Sequence, residues 1–230
     1  MKIGILAAGH APRALQPEFG DMSAMFQTLL AGRGYQWRIF DTPHGDYPDQ
    51  LDDCDGYIVT GAPAGVYDAD PWIAELLAFL RAAKGRTRLA GFCFGHQAMA
   101  QAFGGQVIKS PKGWGVGLHT YDVGQPPAWM DRAGPFSLSA SHQDQVVELP
   151  PNATAVAGSA FCPYGLISYD DAPAISCQLH PEFAPQFSAA LIECMTLPQA
   201  EAAEALASLQ QPDDQLRSRT GWGGSSRAGS

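Results

Sequence analysis

Basic residues are scarce and nowhere clustered: 14 Lys and Arg stand against 23 Asp and Glu in 230 residues, a formal net charge of -9. A nucleic-acid surface or an anionic-membrane anchor needs concentrated positive charge, so no nucleic acid and no membrane is expected as a partner. Long apolar runs are missing too. None approaches the roughly 20 residues that cross a bilayer, and the stretch Met1–Gly9 is too short for a signal h-region and carries no cleavage site. Paired cysteines are absent. Cys54, Cys93, Cys162, Cys177 and Cys194 are odd in number, far apart and without a CxxC, which argues against a disulfide framework or structural zinc and for a reducing, cytoplasmic setting. A phosphate-cradling G-x-x-x-x-G-K-[ST] loop is also lacking. What remains, 46% hydrophobic and 16% charged residues, suffices for one sizeable α/β core whose partners are small molecules or proteins.

Along the first half, short β-type runs alternate with helical patterns, the sequence form of a parallel sheet covered on both faces. Ile3–Ala7, Tyr35–Phe40, Tyr57–Thr60 and Arg88–Phe92 read as strands. Met22, Met25, Phe26, Leu29 and Leu30 recur at helical spacing, and a second helix starts at Pro71 and buries Ile73, Leu76, Leu77 and Leu80. From Gly115 the rhythm changes to short strand-like runs parted by Gly and Pro, which implies antiparallel hairpins. Ala174–Leu179 leads into His180, and Phe183–Met195 reads as a covering helix. Residues 1–200 are expected to form one domain. Residues 201–230 are expected to add a helix, Ala200–Leu209 by its composition, and a mobile tail from Gln211 to Ser230.

Two segments carry chemistry. Gly91-Phe92-Cys93-Phe94-Gly95-His96-Gln97 is a G-x-C-x-G turn between an apolar strand and a helical pattern. A nucleophile there stands on a sharp, strained elbow, glycines flank it because larger side chains would clash, and the helix N-terminus favours a thiolate. The next backbone N–H, that of Phe94, points to where an oxyanion would form. The other cysteines read as small buried hydrophobes. The second segment is Gln178-Leu179-His180-Pro181-Glu182-Phe183. In extended chain, positions i and i+2 share a side, so His180 and Glu182 are expected to meet as a base and its orienting carboxylate. His10, His44, His96 and His119 have no metal-ligand spacing, and Trp72, Trp114 and Trp129 read as packing.

Together the elbow and the later H-P-E resemble the class I, triad-type glutamine amidotransferase family, over about Met1 to Met195. The resemblance implies a three-layer, flavodoxin-like fold with a mostly parallel sheet and an added antiparallel segment. It implies catalysis by Cys93, His180 and Glu182 on the γ-carboxamide of glutamine or a γ-glutamyl amide, without metal or organic cofactor. Thr60-Gly61-Ala62-Pro63 resembles the family's S-G-G-P loop, whose N–H groups complete the oxyanion hole; Ala62 stands where the second glycine is usual. Gln97 matches a substrate-contacting glutamine, and Ser141-His142-Gln143-Asp144 resembles the segment that grips the amino-acid end of the substrate. Family members commonly feed ammonia to a synthetase, fused or separate, so either a partner protein or a free-standing glutaminase or γ-glutamyl hydrolase is implied. A non-catalytic, redox-sensing or chaperone-like protein on the same fold is the alternative of a different class, although such relatives lack the H-P-E.

Overall fold

In a computed structural model, residues 1–130 and 134–215 are described. The strands are β1 Lys2–Ala7, β2 Gln36–Asp41, β3 Gly56–Val59, β4 Arg88–Phe92, β5 Gln106–Lys109, β6 Gly115–Val123, β7 Phe136–His142, β8 Asp144–Glu148, β9 Ala153–Gly158, β10 Leu166–Tyr169 and β11 Ala174–Cys177. The helices are α1 Gln16–Phe19, α2 Met22–Leu29, α3 Pro71–Ala83, α4 Phe94–Ala102, α5 Pro185–Cys194 and α6 Gln199–Ser208.

Among the described residues, nine strands form one sheet in the order β2-β1-β3-β4-β11-β10-β9-β6-β7, and β5 pairs with β8 apart from it. From β2 to β11 the neighbours are parallel, and from β11 to β7 they are antiparallel. The sheet is therefore flavodoxin-like at one end, with an antiparallel extension at the other. In the parallel part, β1 and β3 are buried almost throughout, as expected for strands covered on both faces.

The alternation of side chains along each strand sorts the core into two layers. Leu6, Tyr57, Val59 and Leu89 face α3 and α4, where Ile73, Leu76, Leu80, Ala98 and Met99 meet them. Ile3, Ile5, Ile58 and Phe92 face the other way, onto Phe26 and Leu29 of α2. Pro71 begins α3 as expected, where its missing N–H costs nothing; Leu77 is half-buried rather than core. Asp21 caps α2 by accepting the Met22 N–H.

The C-terminal segment is tied down over its described length. Ala205 of α6 and Leu209 at its C-terminal cap pack with Ile192 of α5 against Val116 and Leu118. Asp214 then exchanges two bonds with Ser137, its N–H donating to the Ser137 carbonyl at 2.8 Å and its carboxylate accepting the Ser137 N–H at 2.9 Å. The rest of the expected mobile tail lies outside the described residues.

Candidate active site

In a sheet of this order, ligands sit beyond the carboxyl ends of the parallel strands, where the order reverses. Here the order reverses between β1 and β3, and β4 and β11 end beside them. A cleft of about 680 Å³ opens there, reached by Gly61 after β3, Cys93 after β4 and His180 after β11. A separate, more apolar groove of about 440 Å³ is lined by Ile3, Phe26, Ile58 and Trp129 and, among the described residues, holds no cysteine or histidine.

Cys93 occupies the turn between β4 and α4 with φ 50° and ψ -105°, a conformation that costs a non-glycine residue about 1–3 kcal/mol. Its neighbours hold it there. A Cβ on Gly91 would lie 2.4 Å from the Gly95 carbonyl oxygen, and one on Gly95 would lie 2.3 Å from the Val59 carbonyl oxygen. The elbow thus needs both glycines so that α4 can approach β3 closely. The Cys93 N–H donates to the Cys177 carbonyl at 2.9 Å, which fixes the turn to β11, and its thiol faces the Ser141 carbonyl at 3.7 Å. Among the described residues, no protein acceptor takes the N–H of Phe94 or of Ala62. The Phe94 ring itself turns into the core against Trp72. Positive φ outside glycine is confined to Cys93 and Asn152 among the described residues, so Ala62 sits in its loop without the left-handed strain that would demand glycine.

His180 and Glu182 meet, but not through the extended geometry expected for them. β11 ends at Cys177, and Pro181 and Glu182 lie in a turn closed by the Phe183 N–H donating to the His180 carbonyl at 3.3 Å. Proline at the second position of a turn pre-sets its φ, and the turn brings Glu182 Oε1 to 2.8 Å from His180 Nδ1. The His180 N–H is anchored on the Ser139 carbonyl at 2.8 Å, and the Phe183 ring stacks on the imidazole with centroids 3.9 Å apart and planes at 6°. Both side chains are buried. Burial by itself pushes the His180 ring down, yet the Glu182 carboxylate and then the Cys93 sulfur, within hydrogen-bonding reach, lift it to about 10. Glu182 stands behind the imidazole, away from the cleft. A Cβ on Gly61 would approach His180 Cε1 to 3.1 Å and Cys93 Cβ to 3.7 Å, so sulfur, imidazole and the Gly61 backbone share one corner.

The remaining expected residues line the cleft. Gln97 projects from the first turn of α4, and its Nε2 donates to the Asp144 carbonyl at 2.9 Å and to Gln178 Oε1 at 3.2 Å. Ser141, His142, Gln143 and Asp144 form the facing wall. His142 is buried with Nδ1 3.1 Å from the Asp144 carbonyl, and burial holds its pKa down to about 3, so it is neutral over the physiological range. Of the tryptophans expected to pack, Trp72 and Trp129 do so. Trp114 does not: it is 43% exposed and borders the cleft. Sequence reading also passes over Tyr67, whose hydroxyl donates to Asp144 Oδ2 at 2.8 Å across 77 residues of chain, and Phe183. The aromatic directly after H-P-E was the available signal for Phe183; none pointed to Tyr67. Among the described residues no cluster of three His, Cys, Asp or Glu side chains could hold a metal ion.

A flavodoxin-like sheet with a cysteine elbow and a glutamate-backed histidine meeting at one cleft defines an amidotransferase-type α/β protein. The chain belongs to the class-I glutamine amidotransferase family, whose model matches residues 22–193. It is 30% identical over 175 residues to gamma-glutamyl peptidase 3 of Arabidopsis thaliana, a match covering 72% of this chain and 70% of the relative. It is also 30% identical over 138 residues to the glutamine-hydrolyzing GMP synthase of Thermosipho melanesiensis, covering 59% of this chain but 26% of that protein. The crystal structure of a glutamine amidotransferase from Thermotoga maritima superposes with a TM-score of 0.75 at 18% identity, over 96% of this chain and 95% of the other; that likeness establishes the fold.

Proposed function

We propose that this protein is a thiol-dependent hydrolase of γ-glutamyl amides, acting on the γ-carboxamide of glutamine or on γ-glutamyl compounds with a larger amine. The observation that carries this reading is the convergence of the Cys93 elbow and the buried His180–Glu182 pair on one cleft. Cys93 sulfur attacks the amide carbon, and the oxyanion forms against the N–H groups of Phe94 and the Gly61/Ala62 loop. His180, held charged by Glu182, gives its proton to the departing nitrogen as the C–N bond breaks and a γ-glutamyl thioester remains. Water then loses a proton to His180 and attacks the thioester; the S–C bond breaks and glutamate leaves. Gln97 and the Ser141–Asp144 wall hold the glutamyl end. His142, neutral and turned to a carbonyl, shapes that wall rather than moving protons.

The gamma-glutamyl peptidase relatives favour a free-standing hydrolase, whereas the match to GMP synthase keeps an ammonia-accepting synthetase open as a partner. Glutamate release by the purified chain from glutamine and from γ-glutamyl dipeptides, with Cys93→Ala as control, tests the reading. Cys93-dependent release supports it. Release that is equal in Cys93→Ala, or no release with or without a synthetase, rejects it.

A further inference from the structure

A side-chain hydrogen bond joins two segments that line the cleft. The loop after β3 carries Gly61 and Ala62 and runs on to Tyr67, whose hydroxyl donates to Asp144 Oδ2 at 2.8 Å. Asp144 opens β8 and closes the Ser141–Asp144 wall. Its main chain is already engaged, since the carbonyl accepts Gln97 Nε2 at 2.9 Å and lies 3.1 Å from His142 Nδ1. Its side chain is held through Tyr67 alone. Among the described residues no other group donates to this carboxylate, and it makes no ion pair, although Lys109 is its cross-strand neighbour.

Tyr67 is itself well supported. Asp68 closes the turn around it, its N–H donating to the Gly65 carbonyl at 3.0 Å and its Oδ2 accepting the Gly65 N–H at 2.7 Å. A Cβ on Gly65 would meet the Tyr67 ring at 2.8 Å, so the ring lies directly on the loop backbone. Burial, and then the Asp144 carboxylate, push the phenol up to about 12, which keeps its hydroxyl a donor across the neutral range. The two carboxylates that line the cleft therefore differ. Asp68 is spent on its own turn, whereas Asp144 has Oδ2 fixed by an uncharged donor and Oδ1 without a protein partner. The glutamyl group brings one cation, its α-ammonium, and Asp144 adjoins Gln97 at the end of the cleft assigned to that group.

Resting on the hydrolase reading above, we propose that Tyr67 is a positioning residue for the glutamyl end: its hydroxyl holds Asp144 Oδ2 so that Oδ1 takes the α-ammonium of the substrate. Without that hydroxyl the carboxylate rotates freely, and binding must then supply the ordering that Tyr67 provides in advance. A free α-ammonium is accordingly a requirement of good substrates, whatever amine leaves.

The test compares kcat/KM for two substrate pairs whose members differ by the α-ammonium alone, glutamine with glutaramate and γ-glutamyl-alanine with glutaryl-alanine. In the unaltered protein the ammonium is worth roughly tenfold or more. Tyr67→Phe keeps the ring over Gly65 and removes the hydroxyl; it lowers this preference by roughly three- to tenfold, and the loss falls on KM rather than kcat. Asp144→Asn abolishes the preference, and adding Tyr67→Phe to it costs nothing more. A merely structural role lowers both members of each pair alike. Equal losses, losses that add in full in the double variant, or no ammonium preference in the unaltered protein overturn the proposal while leaving Cys93-dependent hydrolysis standing. Tyr67→Leu, which also lacks the hydroxyl, carries the comparison if Tyr67→Phe does not fold. Turnover that survives Cys93→Ala, or no turnover of any of the four compounds, instead overturns the hydrolase reading beneath it.

Discussion

Glu182→Gln replaces one buried carboxylate by a neutral amide of the same shape. Burial pushes the His180 ring down, while Glu182 and then Cys93 raise it from 6.5 to about 10. An opposite charge within hydrogen-bonding distance favours the charged form by roughly 10- to 1,000-fold. In the variant the imidazolium is disfavoured by about that factor, so the pH at which His180 gives up its charge falls from about 10 toward neutrality. Carbamidomethylation of Cys93 by iodoacetamide, followed by mass spectrometry across pH, should slow in the variant, most between neutrality and about pH 10, where only the original protein keeps His180 charged. Hydrolysis should fall by up to about 10⁴-fold, as when a triad loses the charge that orients its histidine. Stability should change as well. Glu182 Oε2 has no partner among the described residues, so a Gln amide placed there buries an unpaired donor at about 1–3 kcal/mol. Because the folded His180 pKa is raised, its stabilisation is complete below about 6.5 and is lost as pH rises through about 10. The gap in stability between the original protein and the variant should therefore be full below about pH 6.5 and narrow as pH rises toward about 10. An alkylation profile unchanged by the substitution, in a variant whose circular dichroism is native, refutes the coupling of Glu182 to His180 and Cys93.

Three further outcomes follow from the elbow and the wall it faces. Cys93→Gly should melt higher than Cys93→Ala by about 1 kcal/mol or more, because alanine keeps the strained φ of 50°; equal melting temperatures contradict the strain. Gly95→Ala places a Cβ 2.3 Å from the Val59 carbonyl oxygen, and denaturant unfolding should show a loss of about 1–3 kcal/mol or more. Gln97→Ala removes the side-chain donor to the Asp144 carbonyl, and kcat/KM should fall by roughly tenfold; a fall carried by kcat alone, with KM unchanged, argues against a role in holding the substrate.

Legibility in the sequence varied with the physics of each element. The parallel strands are continuous apolar runs between glycines and helical patterns, so β1, β3 and β4 stand out within a residue or two of their bounds. β5 does not. Its four residues, Gln106–Lys109, include two polar ends and pair with β8 away from the main sheet, so neither a run nor an alternation marks them. The two chemical segments were legible as motifs, since G-x-C-x-G and H-P-E are local. How the second is shaped was not: a short proline turn and an extended chain both bring i and i+2 together, and only the end of β11 at Cys177 distinguishes them. Cleft residues supplied by distant loops were the hardest. Tyr67 meets Asp144 across 77 residues, and Trp114 looks like any packing tryptophan until the cleft beside it is seen.

Hydrolysis by the proposed route passes through a covalently acylated Cys93. Acid quenching of the protein in the steady state with a γ-glutamyl dipeptide, followed by peptide mass spectrometry, reads this directly. A γ-glutamyl adduct on the Cys93 peptide, absent from Cys93→Ala, is the predicted result. Continued hydrolysis by Cys93→Ala, with no adduct on any residue of the original protein, would contradict it.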